Sequence, residues 1–267
     1  MSSVFKSLSW PLRSPASPGR ELSYFVGGSG PDLLSLHTAS GFRASEPLER
    51  LASSFRVWAP IVPGFDGTAL QPGITTLRGV ADLISDFISA NISSGRCDVM
   101  GHSLGGWIGA WLAILHPAQV GRLVLAAPAG FRPPDAPPLS FEPADMLKQL
   151  YAHPEKRPID EKPPAFISGN RDAIVRYSAG GSYDKELISR VGEIESETLI
   201  LHGAQDVRVL AEAVQTLQQE IPNSQLISIY DAAHGLDIDQ PERVGEVIED
   251  FLMRGEAFIG HYQTKPA

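Results

Sequence analysis

Ser103 sits at the centre of Gly101-His102-Ser103-Leu104-Gly105, a serine with a glycine two positions away on either side. A serine hydroxyl is a weak nucleophile at neutral pH and attacks a carbonyl only when a neighbouring base takes its proton. Glycines at these two spacings fit a strand that turns sharply into a helix, because side chains there would collide with a central residue held in strained backbone. Such a turn leaves the hydroxyl exposed at the sheet's edge and at a helix N-terminus, where free N–H groups and the helix dipole favour developing negative charge. Downstream of Ser103 the chain offers candidates for a base and an acid. His234, in "AAHGLDIDQPERV", can take the serine proton. Asp206, in "LHGAQDVRV", can hold the imidazole's other nitrogen and stabilise its cation. Asp237 and Asp239 are rivals for the acid, but both follow His234 on what reads as the final loop. His102, His116 and His202 read as structural, and His37 as a residue that could orient a loop.

These residues need a scaffold, and the chain's patterning predicts one. "SLSW" and "ELSYFVGG" flank the turn-prone "SPASPGR" and read as an opening antiparallel pair. "DLLSLHT", "FRVWAPIVPGF", "CDVM", "RLVLAAP", "TLILHG" and "QLISIYDAAHG" read as further strands. Between them, "EPLERLA" and residues 76–90 read as helices. In the second, Leu77, Val80, Ile84, Phe87 and Ile88 recur at three- and four-residue intervals and form one apolar face. "LGGWIGAWLAIL", "VLAEAVQTLQQEI" and "QPERVGEVIEDFL" complete the alternation. Trp107 and Trp111, four apart on the helix after Ser103, read as packing against the sheet. Strands alternating with helices imply a mainly parallel sheet covered on both faces, with ligands at the carboxyl ends of its strands.

Residues 131–164 break the pattern. They hold nine of the chain's 22 prolines, a density that forbids a central strand and interrupts any long helix. Residues 131–194 are therefore expected to form an insertion of short helices such as "PADMLKQLY", laid over a core made of 1–130 and 195–267.

The motif and the order of elements around it, from about Glu21 to Leu252, resemble the α/β-hydrolase fold superfamily, with the insertion in the place of that family's cap. The resemblance implies the chain order nucleophile, acid, histidine, matched here by Ser103, Asp206 and His234. Some members carry the acid after the preceding strand, but "LVLAAPAG" offers none there. The resemblance also implies an oxyanion hole built from the backbone N–H of Leu104 and one from the loop "HTASGF". That loop resembles the family's H-G-x-x-G and makes Ala39 the second donor. Thr38 replaces the usual glycine, Ile61 an acid, and Glu197 a common proline, while Asp66 stands where glycine is frequent and reads as a solvated turn residue. A serine at the nucleophile position argues against the family's haloalkane dehalogenases and epoxide hydrolases, which carry aspartate there.

The expected activity is hydrolysis of a small to medium, largely apolar carboxylic ester or lactone through an acyl-enzyme, without a cofactor. Phe131, Phe141, Met146, Leu147, Leu150, Tyr151, Phe166 and Tyr177 are expected to supply an apolar wall. Two alternatives keep the fold: cleavage of a carbon-carbon bond in a β-diketone-type substrate, or a non-catalytic small-molecule receptor. The sequence has no H-E-x-x-H, paired C-x-x-C, EF-hand or G-x-x-x-x-G-K-[ST] pattern, so a metal or nucleotide site has no support in it. A net charge of -9 would repel nucleic acid and anionic membrane surfaces. No segment of the 267 residues reaches the length of a membrane span, and the lone Cys97 cannot form an internal disulfide, so a cytoplasmic location is expected. Oligomeric state is not legible.

Overall fold

Alternation of apolar strands with amphipathic helices produces one eight-stranded sheet in the computed structural model, which describes residues 4–11, 21–140, 142–157, 162–255 and 257–258. Strands β1 (Lys6–Pro11) and β2 (Glu21–Gly27) pair antiparallel, as expected, and β2 joins the rest by a second antiparallel pairing to β4 (Arg56–Pro60). The remaining strands, β3 (Asp32–Leu36), β5 (Cys97–His102), β6 (Val120–Ala126), β7 (Thr198–Gly203) and β8 (Ser224–Ile229), run parallel. The spatial order is β1-β2-β4-β3-β5-β6-β7-β8. The central strands read as nearly continuous apolar runs because helices cover the sheet. All six residues of β7 are buried.

Helix α1 (Glu46–Leu51) precedes β4, and α2 (Leu77–Asn91) precedes β5. The N-terminus of α2 is capped by Thr76, whose Oγ1 accepts the Gly79 N–H at 3.1 Å, and its predicted stripe from Leu77 to Ile88 is fully in the core. Helix α3 (Leu104–Leu115) follows β5 and is buried along eleven of its twelve residues, since it packs on β3, β5, β6 and α2 at once. Cys97 lies beneath this layer, and burial pushes its thiol far above the ordinary range, which makes it an inert core residue.

Between β6 and β7 the chain carries α4 (Pro143–Leu150), α5 (Pro164–Ser178) and α6 (Lys185–Ile188). The excursion leaves and returns at one place: Phe131 bridges Tyr183, Arg132 N–H donates to Ser182 O, and Asp184 N–H to Gly130 O. Asp184 anchors that root. Its Oδ2 accepts the indole N–H of Trp107 at 2.8 Å and of Trp111 at 2.9 Å, and its Oδ1 caps α6 through Leu187 N–H. The two tryptophans pack in the core as their spacing predicted, and they also bind the excursion to the helix behind Ser103.

After β7 come α7 (Ala211–Glu220), β8, α8 (Leu236–Asp239) and α9 (Pro241–Arg254), the last packed on α1. Two expected strands are shorter than their apolar runs, β4 ending at Pro60 short of Phe65 and β8 at Ile229. Pairing in β8 stops at Ile229, because Tyr230 is exposed and Asp231 turns left-handed at φ 55°, which frees residues 230–235 to form a loop.

Replacing Asp184 by Ala leaves two buried indole donors without their acceptor. Urea denaturation should show a loss of about 1–3 kcal/mol, and a smaller loss for Asp184→Asn, which keeps an acceptor oxygen.

Candidate active site

Ser103 occupies the junction of β5 and α3 with φ 54° and ψ −109°, a conformation that L-residues rarely adopt. The geometry is imposed by packing: a Cβ on Gly101 would overlap the Gly105 carbonyl, and one on Gly105 would overlap the Leu36 carbonyl. The strained residue is tied on both sides, by Ser103 N–H to Ala126 O at 2.8 Å and by Ala129 N–H to Ser103 O at 2.9 Å. These bonds aim the side chain while the backbone stays fixed to β6.

Ser103 Oγ lies 2.8 Å from His234 Nε2, and His234 Nδ1 lies 2.9 Å from Asp206 Oδ2. A carboxylate can only accept, so the imidazole carries its proton on Nδ1 and offers Nε2 as acceptor to the serine hydroxyl. The other carboxylate oxygen, Oδ1, accepts the N–H groups of Arg208 at 2.7 Å and Val209 at 3.0 Å. Burial raises the Asp206 pKa, but the adjacent His234 ring and the N–H groups outweigh it and hold the acid below its usual value. All three residues are buried to more than nine-tenths.

The loops that carry these groups are sewn together. His202 Nε2 bonds Val209 O at 3.0 Å, Gln205 N–H donates to Ala232 O at 2.8 Å, and the Arg132 guanidinium bonds the carbonyls of Val207, Arg208 and Pro137. Asp239 is wholly buried and its carboxylate accepts three backbone N–H groups, those of Ala233 at 2.8 Å and of Ala152 and His153 at 2.9 Å. The rival acids are thereby assigned: Asp239 braces the His234 loop against the segment after α4, and Asp237 stands 3.6 Å from His102 Nδ1. His102 Nε2 donates to the His234 carbonyl at 2.8 Å, so this ring turns away from the hydroxyl and supports the loop, as expected. His116 pairs with Asp82 at the surface.

The loop after β3 also has a fixed form. His37 Nδ1–H donates to Thr38 O at 2.8 Å while its Nε2 accepts Val62 N–H at 3.0 Å, which sets a neutral tautomer and fixes the start of the loop. Thr38 suits the position usually held by glycine, because its Oγ1 accepts Ser40 N–H at 3.2 Å and its carbonyl accepts Gly41 N–H at 3.0 Å. Among the described residues, no protein acceptor takes the backbone N–H of Ala39 or of Leu104.

Ser103, His234, Thr38 and Ala39 line one cavity of about 160 Å³, whose apolar wall includes Leu36, Met100, Leu236 and Ile248. Its polar lining includes Arg208, Lys162 and Asp237. The expected wall is corrected in detail. Leu150 and Tyr151 reach the cavity, but Phe131 and Tyr177 are buried in the core, the latter donating its hydroxyl to Pro63 O. Phe166 lines a separate groove, and Phe141 lies outside the described residues. Phe131 and Tyr177 thus seat the excursion on the core, while Ile167, Val175 and Tyr183 stay exposed. Asp66 is corrected as well: its side chain is largely buried and bonds Phe42 N–H at 2.7 Å and Lys162 Nζ at 2.8 Å. Asp184, Arg132 and Lys162 carried no signal in the sequence beyond their charge, and Asp239 only its place after His234.

A mostly parallel sheet with a strained serine, a histidine and an aspartate at its strand ends defines the α/β-hydrolase class. The chain belongs to the alpha/beta hydrolase family, which it matches over residues 24–247. It is 30% identical over 254 residues to 2-hydroxymuconate semialdehyde hydrolase of Pseudomonas putida, covering 87% of each chain. It is 25% identical to pimeloyl-[acyl-carrier protein] methyl ester esterase of Nitrosomonas europaea, over 81% of this chain and 93% of the other. In structure it resembles a thermophilic esterase from Thermogutta terrifontis, with a TM-score of 0.74, 23% identity and coverage of 93% and 98%. Among the described residues no helix is long and apolar enough to cross a membrane.

Burial lowers the pKa of His37 and of His102 below the ordinary imidazole value. As pH falls through about 6.5, the unfolded chain takes up protons that the folded chain refuses, so their contribution to stability is present above that pH and lost below it. The melting temperature should fall on acidification through this range, and His37→Gln should flatten the slope. The Asp206 contribution is lost in a lower window, below the ordinary carboxylate value, because its folded pKa is depressed.

Proposed function

We propose that this protein is a serine hydrolase that cleaves a small to medium, largely apolar carboxylic ester or lactone. The observation that carries the reading is the continuous line from Ser103 Oγ through the His234 ring to Asp206, with both hydrogen bonds under 3 Å. His234 takes the serine proton as Ser103 attacks the carbonyl, and Asp206 holds the ring and stabilises the imidazolium. The tetrahedral oxyanion is received by the N–H groups of Leu104, at the positive end of α3, and of Ala39. His234 then protonates the leaving alcohol and activates a water that releases the acid. Every step uses this chain's own groups. The cavity volume lies below the roughly 300–1,000 Å³ of drug-sized sites, which supports a small substrate. Residues 131–194 act in this reading as a cap that closes the cavity with Leu150 and Tyr151. The single buried cysteine supports a reducing, cytoplasmic setting.

A second reading, hydrolysis of a carbon-carbon bond in a β-diketone-type substrate, is favoured by the 30% identity to 2-hydroxymuconate semialdehyde hydrolase. It keeps the triad and changes the bond that breaks.

The wild-type protein should react with a fluorophosphonate probe, with the adduct located at Ser103 by peptide mass spectrometry and absent in Ser103→Ala. A panel of short esters, lactones and β-diketones then separates the readings: turnover of esters supports the first, and turnover of diketones without ester activity overturns it. Failure of folded protein to label at Ser103 overturns the nucleophilic role in either reading. Asp206→Asn should lower kcat on the order of 10³- to 10⁴-fold, because the amide no longer fixes the tautomer of His234.

A further inference from the structure

The loop that carries Ala39 is held from outside the sheet domain. Lys162 stands just before α5, in the segment between β6 and β7, and its ammonium donates to Ser40 O at 2.7 Å, Phe42 O at 3.0 Å and Asp66 Oδ1 at 2.8 Å. Three acceptors at these distances use all three of its protons. Asp66 closes the ring from the other side, where its Oδ2 accepts Phe42 N–H at 2.7 Å. The carboxylate fits only because position 41 is glycine: Gly41 has φ 85°, and a Cβ there would overlap the Asp66 carboxylate. Asp66 is itself in left-handed backbone, with φ 50°, and its N–H is fixed by the Oδ1 of buried Asn170 on α5 at 2.8 Å. Residues 40–42 are thus gripped by an ion pair whose acid comes from the loop after β4 and whose base comes from the excursion.

We propose that Lys162 and Asp66 are positioning residues for the oxyanion hole, setting the Ala39 N–H through the carbonyls of Ser40 and Phe42. The proposal rests on the serine hydrolase reading above. The physical argument has two parts. The two carbonyls held by Lys162 lie one and three residues beyond Ala39 in a tight turn, so a small rotation of the turn swings the Ala39 donor. The ion pair is also largely sheltered, with side-chain exposures of 20% and 16%, so solvent screening weakens it less than a surface pair. His37 fixes the entry to the same turn and Lys162 fixes its exit, which leaves Ala39 between two anchored points.

The test uses the full-length protein and two variants, Lys162→Met, which keeps the length of the side chain without its charge, and Asp66→Asn, which keeps its shape. Steady-state hydrolysis of a short p-nitrophenyl ester is measured together with inhibition by an alkyl trifluoromethyl ketone, whose serine adduct places an oxyanion in the hole. Each variant should lower kcat on the order of 10- to 100-fold with KM within about twofold, and weaken the ketone by the same factor. The double variant should lose little more than either single one, because both act on one ion pair. A folded Lys162→Met or Asp66→Asn protein with wild-type kcat and ketone affinity overturns the proposal, as does a raised KM at unchanged kcat, which would make Lys162 a substrate contact. Wild-type turnover and labelling at Ser103 report on the hydrolase reading, and the variant-to-wild-type ratio reports on the ion pair, so the two fail separately.

Discussion

A single strained residue organises this molecule. At Ser103 the chain passes from strand to helix with a positive φ that a serine adopts only at a penalty of about 1–3 kcal/mol, and the surrounding structure must hold it there. The restraint comes from contact distance more than from any one bond. The approach of Gly101 to Gly105, and of Gly105 to Leu36, is too close for side chains, so β5, α3 and β3 can meet only in this way. Hydrogen bonds from Ser103 N–H to Ala126 O and from Ala129 N–H to Ser103 O fix the residue to β6 and the turn after it, and the indoles of Trp107 and Trp111 tie α3 to Asp184. The hydroxyl therefore projects from rigid backbone, and the histidine and the acid need only be brought to it.

They are brought by loops, and the loops are stabilised by polar groups outside the Ser103–His234–Asp206 line. Asp239 gathers three N–H groups from two separate segments, His202 and Arg132 hold the carbonyls around Asp206, and His102 supports the carbonyl of His234. Each of these groups is buried or half-buried and satisfied, the condition under which polar contacts rigidify a structure. The depressed pKa of Asp206 follows from the same arrangement: the His234 ring beside it, and after it the N–H groups that fix its orientation, stabilise its charge.

The segment between β6 and β7 enters this network at several points. It reaches the histidine loop through Asp239 and through Gly235 N–H on Leu150 O, the acid loop through Arg132, and the loop after β3 through Lys162. Its prolines confine regular structure to separate helices, α4 and α5 each beginning at one, and polar bonds tie the segment to the loops around the sheet. Of the apolar residues expected to face substrate, Phe131 and Tyr177 secure that attachment instead, Tyr177 through its hydroxyl on Pro63 O.

The order of strands and helices and the glycine-flanked turn at Ser103 were legible in the chain itself, because period and glycine spacing are local properties, while Asp206 and His234 stood out as candidates through the chain order that the resemblance implies. The stripe of α2 and the burial of Trp107 and Trp111 were legible for the same reason. The end of β8 was not, since an apolar run does not reveal where pairing stops. Nor could local pattern separate Asp206 from Asp237 and Asp239 by more than loop position, or distinguish Asp66 from a solvated turn residue. Those roles depend on which backbone groups meet a carboxylate across more than 80 residues of chain, as Asp239 meets Ala152 and Asp66 meets Lys162. The sequence alone determined the chemistry on offer and the elements that carry it. Tertiary structure decided which charges became supports, because long-range polar contacts are set by the packing of distant segments and leave no periodic trace.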